Sequence, residues 1–543
     1  MEVKFMNRRR LGVVTDGAFN AGLTVRLDPE VSTEELHIGD FVIVEGQENL
    51  YFSLIADMQL RTTDAAFTAD PPRGLSPFIA RALRGTTTYA TVQVKPLLML
   101  PRPRGSFIDI TQKPQPVRTI PLHFAHLCEA SEGDFAAVFG REDKHHFAIG
   151  TPLTMDIPIC LDLRRLVERS NGVFGATGTG KSFLVRLLLC GVIRSGVAVN
   201  LIFDMHDEYA FGKQSEDGQW VKGLTHLFGR SKILVYSLDE QAAARSGRNV
   251  DRTLKIGLNQ IEAGDVLLLA EELNLRATAA PTIGLLQDSY GDRWLVELLE
   301  MTPQDLDEFC RGSGAHPASM AALQRNLKLI ARRPYMVPQA DFSMVEEMVA
   351  ALDKGQNIIL HFGRYDTPLD HMLVANIITR RVRHLYQEKV EKYEQTQDPR
   401  HRPRSLVITI EEAHKFLNPA VSRQTIFGQI ARELRKYYVT LIVVDQRPSG
   451  IDPEVLSQLG TRITGKLFEE RDIDAVLTGV SGRSFLRGAL ESLDTREQVL
   501  IMGHAVPMPI VVRTRKYDEE FYKAMGEGER PSVRESIEEL FGE

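Results

Sequence analysis

The chain has 543 residues, 43% of them hydrophobic and 25% charged, the balance of a folded soluble protein rather than a disordered one. At about 100–200 residues per domain the length implies two to four domains, and no apolar run approaches the ~20 residues of a membrane-spanning helix. The formal net charge of −7 neither advertises nor excludes a nucleic-acid partner, because a basic channel is compatible with an acidic exterior.

From the N-terminus to about Leu100, short apolar runs such as LGVVTDG, GLTVRLD and IGDFVIVEG alternate with turn residues, the pattern of a small β-barrel. Five prolines between Pro101 and Pro121 read as an extended linker, so residues 1–120 are assigned to an N-terminal β-barrel and Pro-rich linker. The start, MEVKFMNRRRLGVV, has basic residues but no apolar signal region behind them, and a cytoplasmic protein is expected. Cys128, Cys160, Cys190 and Cys310 show no C-x-x-C pair, and His145 and His146 have no third ligand nearby in sequence. Neither group indicates a metal site.

Residues 121–213 are expected to form the first part of an α/β core. Within them NGVFGATGTGKSFLVRLL places Gly175, Gly180, Lys181 and Ser182 at the spacing G-x-x-x-x-G-K-[ST], after an apolar strand and before a leucine-rich helix. A polyphosphate has to be wrapped by backbone N–H groups, and side chains at Gly175, Gly178 and Gly180 would block that approach. Lys181 reaches the β- and γ-phosphates, Ser182 offers its hydroxyl to Mg²⁺, and the helix aims its positive end at the ligand. Gly175, Ala176, Thr177, Gly178, Thr179, Gly180, Lys181, Ser182 and Phe183 are the candidate nucleotide-binding residues, with ATP and Mg²⁺ as the implied ligands.

The following strand, VAVNLIFD, ends at Asp204, the carboxyl end of a parallel strand where ligands bind; Asp204 is a candidate catalytic residue. Residues 214–404 read as a mainly helical insertion with return to the core, through KILVYSL and NIILHF. Arg380, Arg381, Arg383 and His384 mark a solvated helix face more often than a nucleic-acid surface. Residues 405–515 form the second part of the core. The strand Leu406–Ile410 delivers Glu411, placed to hold the metal, and Glu412, placed to polarise the attacking water. A later strand ends at Asp445 and Gln446, where an amide can sense the γ-phosphate. Residues 516–543 form a helical tail that includes SVRESIEELFGE.

Taken in order, GATGTGKS, FDMHDEY, IEEAHKFL and IARELRKYYVTLIVVDQRPSGIDPEVLSQLGTRI resemble the HerA branch of the FtsK–HerA family of ring-shaped ATPases. That resemblance implies an α/β fold: a RecA-like P-loop ATPase core with an N-terminal small β-barrel and a mainly helical insertion. It implies a homo-hexamer that hydrolyses ATP and moves double-stranded DNA, working with a NurA-like nuclease in DNA end processing. By it Lys181 is the phosphate lysine, Glu412 the catalytic carboxylate, Gln446 the sensor, and Arg432, with Arg435 next, the finger offered to the adjacent subunit. Relatives commonly carry Asp where this chain has Glu411. The competing reading is an ATP-gated ring scaffold that organises another effector enzyme in an antiviral defence complex. A membrane partner is not expected.

Overall fold

The computed structural model describes residues 2–4, 8–64, 83, 86–102, 107–109, 113–214, 218, 220–239, 241, 250–341, 343–420, 422, 425–433, 436–480 and 483–526. The chain divides into two units, Met1–Asp162 with Val506–Thr514, and Leu163–Ala505 with Arg515–Glu543.

In the first unit six antiparallel strands close into a barrel in the order Arg10–Ala18, Gly22–Leu27, Thr88–Pro101, Asn49–Thr62, Phe41–Glu45 and His126–Glu129, the last pairing back onto the first. Alternation drives the closure: Leu23, Val25 and Leu27 are buried with half-buried residues between them, so every second side chain turns inward and packs with Leu11, Val44, Ile55, Val92 and Leu127. The helix Glu132–Phe139 follows, capped by Ser131. The Arg8 guanidinium ties it to the barrel, 2.6 Å from Asp134 and 2.7 Å from Glu45.

The barrel does not end near residue 120. Its closing strand His126–Glu129 lies beyond the prolines, and with two buried side chains, Leu127 and Cys128, it carries too little alternation to be read as a strand. The expected linker is partly fixed, since Gln115 and Pro116 pair with Met99 and Leu98 and the Tyr51 and Thr119 hydroxyls lie 2.9 Å apart. The strand His146–Thr151 pairs with both Ile159–Asp162 and Ile510–Thr514 inside this unit. Residues 121–162 and 506–514 of the expected core therefore group with the first unit, and the chain returns to the second at Arg515. His146 faces Asp143 at 3.1 Å, and no cluster of metal-ligating side chains occurs among the described residues.

The second unit is built on a sheet ordered Gln498–Gly503, Thr461–Thr464, Asn171–Phe174, Val439–Asp445, Leu406–Ile410, Val199–Asp204, Asn357–His361, Ile233–Ser237 and Arg252–Thr253, parallel throughout except at the first pair. The central strands are buried on both faces, which explains their unbroken apolar runs. The middle interval also holds the helix Leu224–Lys232, helices between Ala263 and Ala331, and the helices Ser343–Asp353 and Pro368–Thr396. Among the described residues no helix is long and apolar enough to cross a membrane. The helix Glu519–Ala524 opens the C-terminal segment; SVRESIEELFGE lies outside the described residues.

The basic residues of the long helix Pro368–Thr396 are spent inside the fold. Arg380 pairs with Glu262 and, at 2.8 Å, with the buried Asp265. Arg381 meets Glu346 at 2.6 Å, and Arg383 meets Glu433 at 2.5 Å and Gln429 at 3.0 Å. Breaking a buried pair from one side leaves an uncompensated charge that costs about 3–5 kcal/mol. Arg380 is itself partly exposed, so Arg380→Ala is expected to destabilise the protein by about 2–3 kcal/mol in urea unfolding. The double variant Arg380→Ala/Asp265→Ala should recover part of that loss.

Candidate active site

The strand Asn171–Phe174, a glycine loop and the helix Lys181–Ser195 follow one another directly. Gly178 and Gly180 sit at φ +79° and +85°, and a Cβ on either would project into open space. The loop is thus held in a left-handed path that side chains resist, around a cradle empty of protein atoms. Thr179 donates to the Ala176 carbonyl at 2.7 Å and Lys181 Nζ to the same oxygen at 3.0 Å. The loop is anchored from both sides, by Gly175 N–H on the Asp445 carbonyl (3.3 Å) and Ala176 N–H on the Lys466 carbonyl (2.9 Å). Burial pushes the Lys181 ammonium below its ordinary value against the pull of Glu412, Asp445, Glu411 and Glu208. A cationic partner of a polyphosphate held this way gains most when the anion arrives.

One strand separates the loop strand from the acid strand, so Glu412 and Gln446 meet across adjacent strand ends. Gln446 Nε2 lies 3.4 Å from both carboxylate oxygens of Glu412, and the Thr177 hydroxyl donates to Gln446 Oε1 at 2.5 Å. Glu412 itself takes the unusual φ of +47°. Phosphate loop, sensor amide and acid form one chain of contacts.

The neighbouring acid has a different environment. Glu411 is sealed in, accepts from the Tyr209 hydroxyl at 2.6 Å, and has no partner on Oε2 among the described residues. Burial raises its pKa to about 8, with Tyr209 opposing and Glu208, Asp204 and Glu412 adding to the rise. An orphaned carboxylate oxygen is the donor a divalent cation requires, and Ser182, which hydrogen-bonds the Glu208 carboxylate, is the matching hydroxyl. The residues present therefore fit Mg²⁺.

Asp204, the candidate at the end of the neighbouring strand, is buried and engaged by backbone. Its buried oxygens are filled by the backbone N–H groups of Glu208 (2.6 Å), Tyr209 (3.1 Å) and Ala210 (2.9 Å), which fold the loop that carries Tyr209 to Glu411 and Glu208 to Ser182. Burial raises its pKa and those bonds oppose the rise. Arg432 is also turned inward: it donates to the Ser422 carbonyl and hydroxyl at 3.2 Å and lies 3.7 Å from Asp452 and 3.6 Å from Glu454. Arg435 lies outside the described residues. Phe183 is 39% exposed, with the Arg186 guanidinium 5.3 Å from its ring and Tyr517 6.2 Å away. Tyr209, Glu208 and His414 were not singled out from sequence. The available signal was their place in DMHDEY and EEAH, immediately past strand ends.

The Helicase HerA, central domain family matches residues 147–382. Over that span the chain is similar to the HerA branch of the FtsK–HerA ATPases. It is 25% identical over 397 residues to the DNA double-strand break repair helicase HerA of Sulfolobus acidocaldarius, covering 72% of each chain. It is 26% identical over 420 residues to the protein of that name from Pyrococcus furiosus, covering 73% of each. Among solved structures it is similar to VirB4 of Thermoanaerobacter pseudethanolicus, with 16% identity, a TM-score of 0.43, and coverage of 70% of this chain and 100% of that one. With the phosphate loop and acid strand described above, this HerA-type chain is an ATP hydrolase.

Behind the site, His371 is buried against Phe362 and His206, with ring centroids at 4.9 and 5.8 Å, and its Nε2 has no partner among the described residues. Burial first, then His206 and Lys415, lower its pKa from 6.5 to about 4. Between those values the unfolded chain takes up a proton that the folded chain refuses. This part of the stability is present above pH 6.5 and falls as pH drops toward 4, by at most about 1.4 kcal/mol per pH unit. His371→Gln should flatten that limb of the stability profile, measured by urea unfolding from pH 7 to pH 4.

Proposed function

We propose that this HerA-type chain is an ATP-driven translocase of double-stranded DNA that works as a homo-hexameric ring and passes DNA to a NurA-like nuclease in end processing. The observation that carries the reading is the contact chain from Thr177 through Gln446 to Glu412, which couples the phosphate-binding loop to a base. A purely nucleotide-gated binding module has no need of that coupling. The names of its relatives, repair helicases acting on double-strand breaks, support the choice of DNA.

In the proposed cycle the loop N–H groups and Lys181 bind the polyphosphate of ATP, Gln446 aligns the attacking water, and Glu412 takes its proton. Ser182 and Glu411 are the residues that would hold Mg²⁺, which would supply positive charge to offset that developing on the phosphates. An arginine from the adjacent subunit completes the site, an effect worth ~10³–10⁵ in rate. Because Arg432 is engaged within its own chain, Arg435 is the better candidate.

Lys181→Ala is expected to lower ATP turnover by about 10²-fold or more with the fold intact, read by steady-state phosphate release beside thermal melting. Glu412→Gln should still bind ATP and hydrolyse it about 10²–10⁴-fold more slowly. Near-normal turnover in either variant would remove the catalytic assignment.

A motor holds DNA by its backbone phosphates, so stimulation of ATPase by duplex DNA should be independent of sequence and fall steeply as salt rises. It should also grow with duplex length at constant total nucleotide, until the track outlasts a run. Stimulation that saturates once a short duplex fills the ring, with no ATP-dependent triplex displacement with or without the nuclease, would overturn the motor and leave an effector scaffold.

A further inference from the structure

The proposed cycle leaves one buried charge next to the site without a role. Asp445 ends the strand Val439–Asp445 with its side chain fully buried. Its Oδ2 accepts the backbone N–H of His414 at 2.6 Å, and the His414 imidazole Nδ1 lies 2.9 Å from Oδ2 and 3.2 Å from Oδ1. Oδ1 also accepts the backbone N–H of Arg447 at 2.7 Å. The backbone carbonyl of the same residue receives Gly175 N–H from the phosphate-binding loop. One residue thus grips three segments: the loop, the turn after Glu412 and the turn after Gln446.

The grip falls on the two side chains that act on water. Glu412, at its positive φ, leads straight into the turn whose N–H and ring are held by Asp445, and its Oε2 lies 3.8 Å from His414 Nδ1. Gln446 lies between the Asp445 side chain and the captured Arg447 N–H. A left-handed backbone at a non-glycine residue costs about 1–3 kcal/mol and persists only where its surroundings over-determine it. His414 is packed against Gly450, where an added Cβ would sit 3.1 Å from the histidine Cβ. The Asp445 hydrogen bond is the chief cause that raises the imidazole pKa, in keeping with a ring that donates from Nδ1.

We infer that His414 and Asp445 act as a positioning pair for hydrolysis, locking the turn that presents Glu412 to the water held by Gln446 and tying that turn to the phosphate-binding loop. Neither residue touches ATP in this role. The pair sets kcat by holding the base in its reactive place, where an error of about 1 Å costs about 10²-fold. The inference rests on the catalytic reading of Glu412.

The test uses the full chain under the conditions in which it hydrolyses ATP, with a fluorescent ATP analogue to measure binding. His414→Ala should lower kcat about 10- to 100-fold with KM for ATP and analogue affinity changed less than about twofold, the pattern of an interaction exerted in the transition state. His414→Asn, whose amide can donate to Asp445 from near the Nδ1 position, should recover most of the loss. The double variant His414→Ala/Asp445→Asn should be no slower than the slower single variant, since paired residues are non-additive. Normal kcat in His414→Ala overturns the inference, and so does a loss of nucleotide affinity that matches the loss of kcat and is not rescued by Asn, which would mark a merely structural residue. Glu412→Gln run in parallel separates the two claims. If it hydrolyses normally the catalytic reading has failed; if it is inactive while His414→Ala is normal, only the positioning pair has.

Discussion

The site depends on the register of three neighbouring parallel strands, in which Phe174 stands opposite Asp445 and Ile410 opposite Val443. Each functional group is a residue just past the end of its strand: the glycine loop after Phe174, Gln446 after Asp445, and Glu411 and Glu412 after Ile410. Because the strands are buried on both faces, a slip in register would break apolar packing on both sides of the sheet at once. The cost of misplacing the catalytic groups is therefore coupled to the cost of unpacking the core. The backbone bonds from Gly175 and Ala176 to the flanking segments extend the same register one step into the loop.

Two adjacent glutamates show how environment divides labour at such a strand end. Glu411 points into the fold, where burial holds its pKa near 8 and the Tyr209 hydroxyl satisfies one oxygen. Glu412, a quarter exposed, turns outward at positive φ and meets Gln446. A carboxyl that resists ionisation until a cation arrives is suited to metal capture, while one in reach of water and an aligned amide is suited to proton transfer. The Asp204-capped loop brings Tyr209 to meet Glu411.

What the residues revealed on their own follows a physical line. Motifs that act by position at strand ends were legible, because an apolar run states where a strand stops: Glu412 and Gln446 were placed by that rule and Lys181 by the G-x-x-x-x-G-K-[ST] spacing, and Gln446 lies between Thr177 of the loop and Glu412. Asp204 obeyed the rule for place, but three backbone N–H groups of a following loop claim its oxygens, and no periodicity records such a turn. Arg432 was named only through the family resemblance. Its partners Ser422, Asp452 and Glu454 come from separate segments, so its inward orientation was not legible in the sequence. The barrel's closing strand was missed for a related reason, since two buried side chains in HLCE gain their strand conformation from neighbours on both sides rather than from local propensity.

The arginines of the long helix bear on how work would be transmitted in the proposed ring. A cation in contact with its own carboxylate projects little field, and exchanging Asp265 for a DNA phosphate would strand a buried negative charge. The helix is therefore poorly suited as a DNA track and well suited as a strut. Arg380 and Asn376 fasten it to the helical insertion at Asp265, Arg381 to the helix Ser343–Asp353 at Glu346, and Arg383 to the helix Ile426–Glu433 at Gln429 and Glu433. That last helix ends two residues before Arg435 in sequence, the residue proposed to reach the adjacent nucleotide. In the proposed ring a displacement of the insertion would be carried along this 29-residue helix toward the neighbour's site, and the ion pairs that hold the arginines would serve as the link.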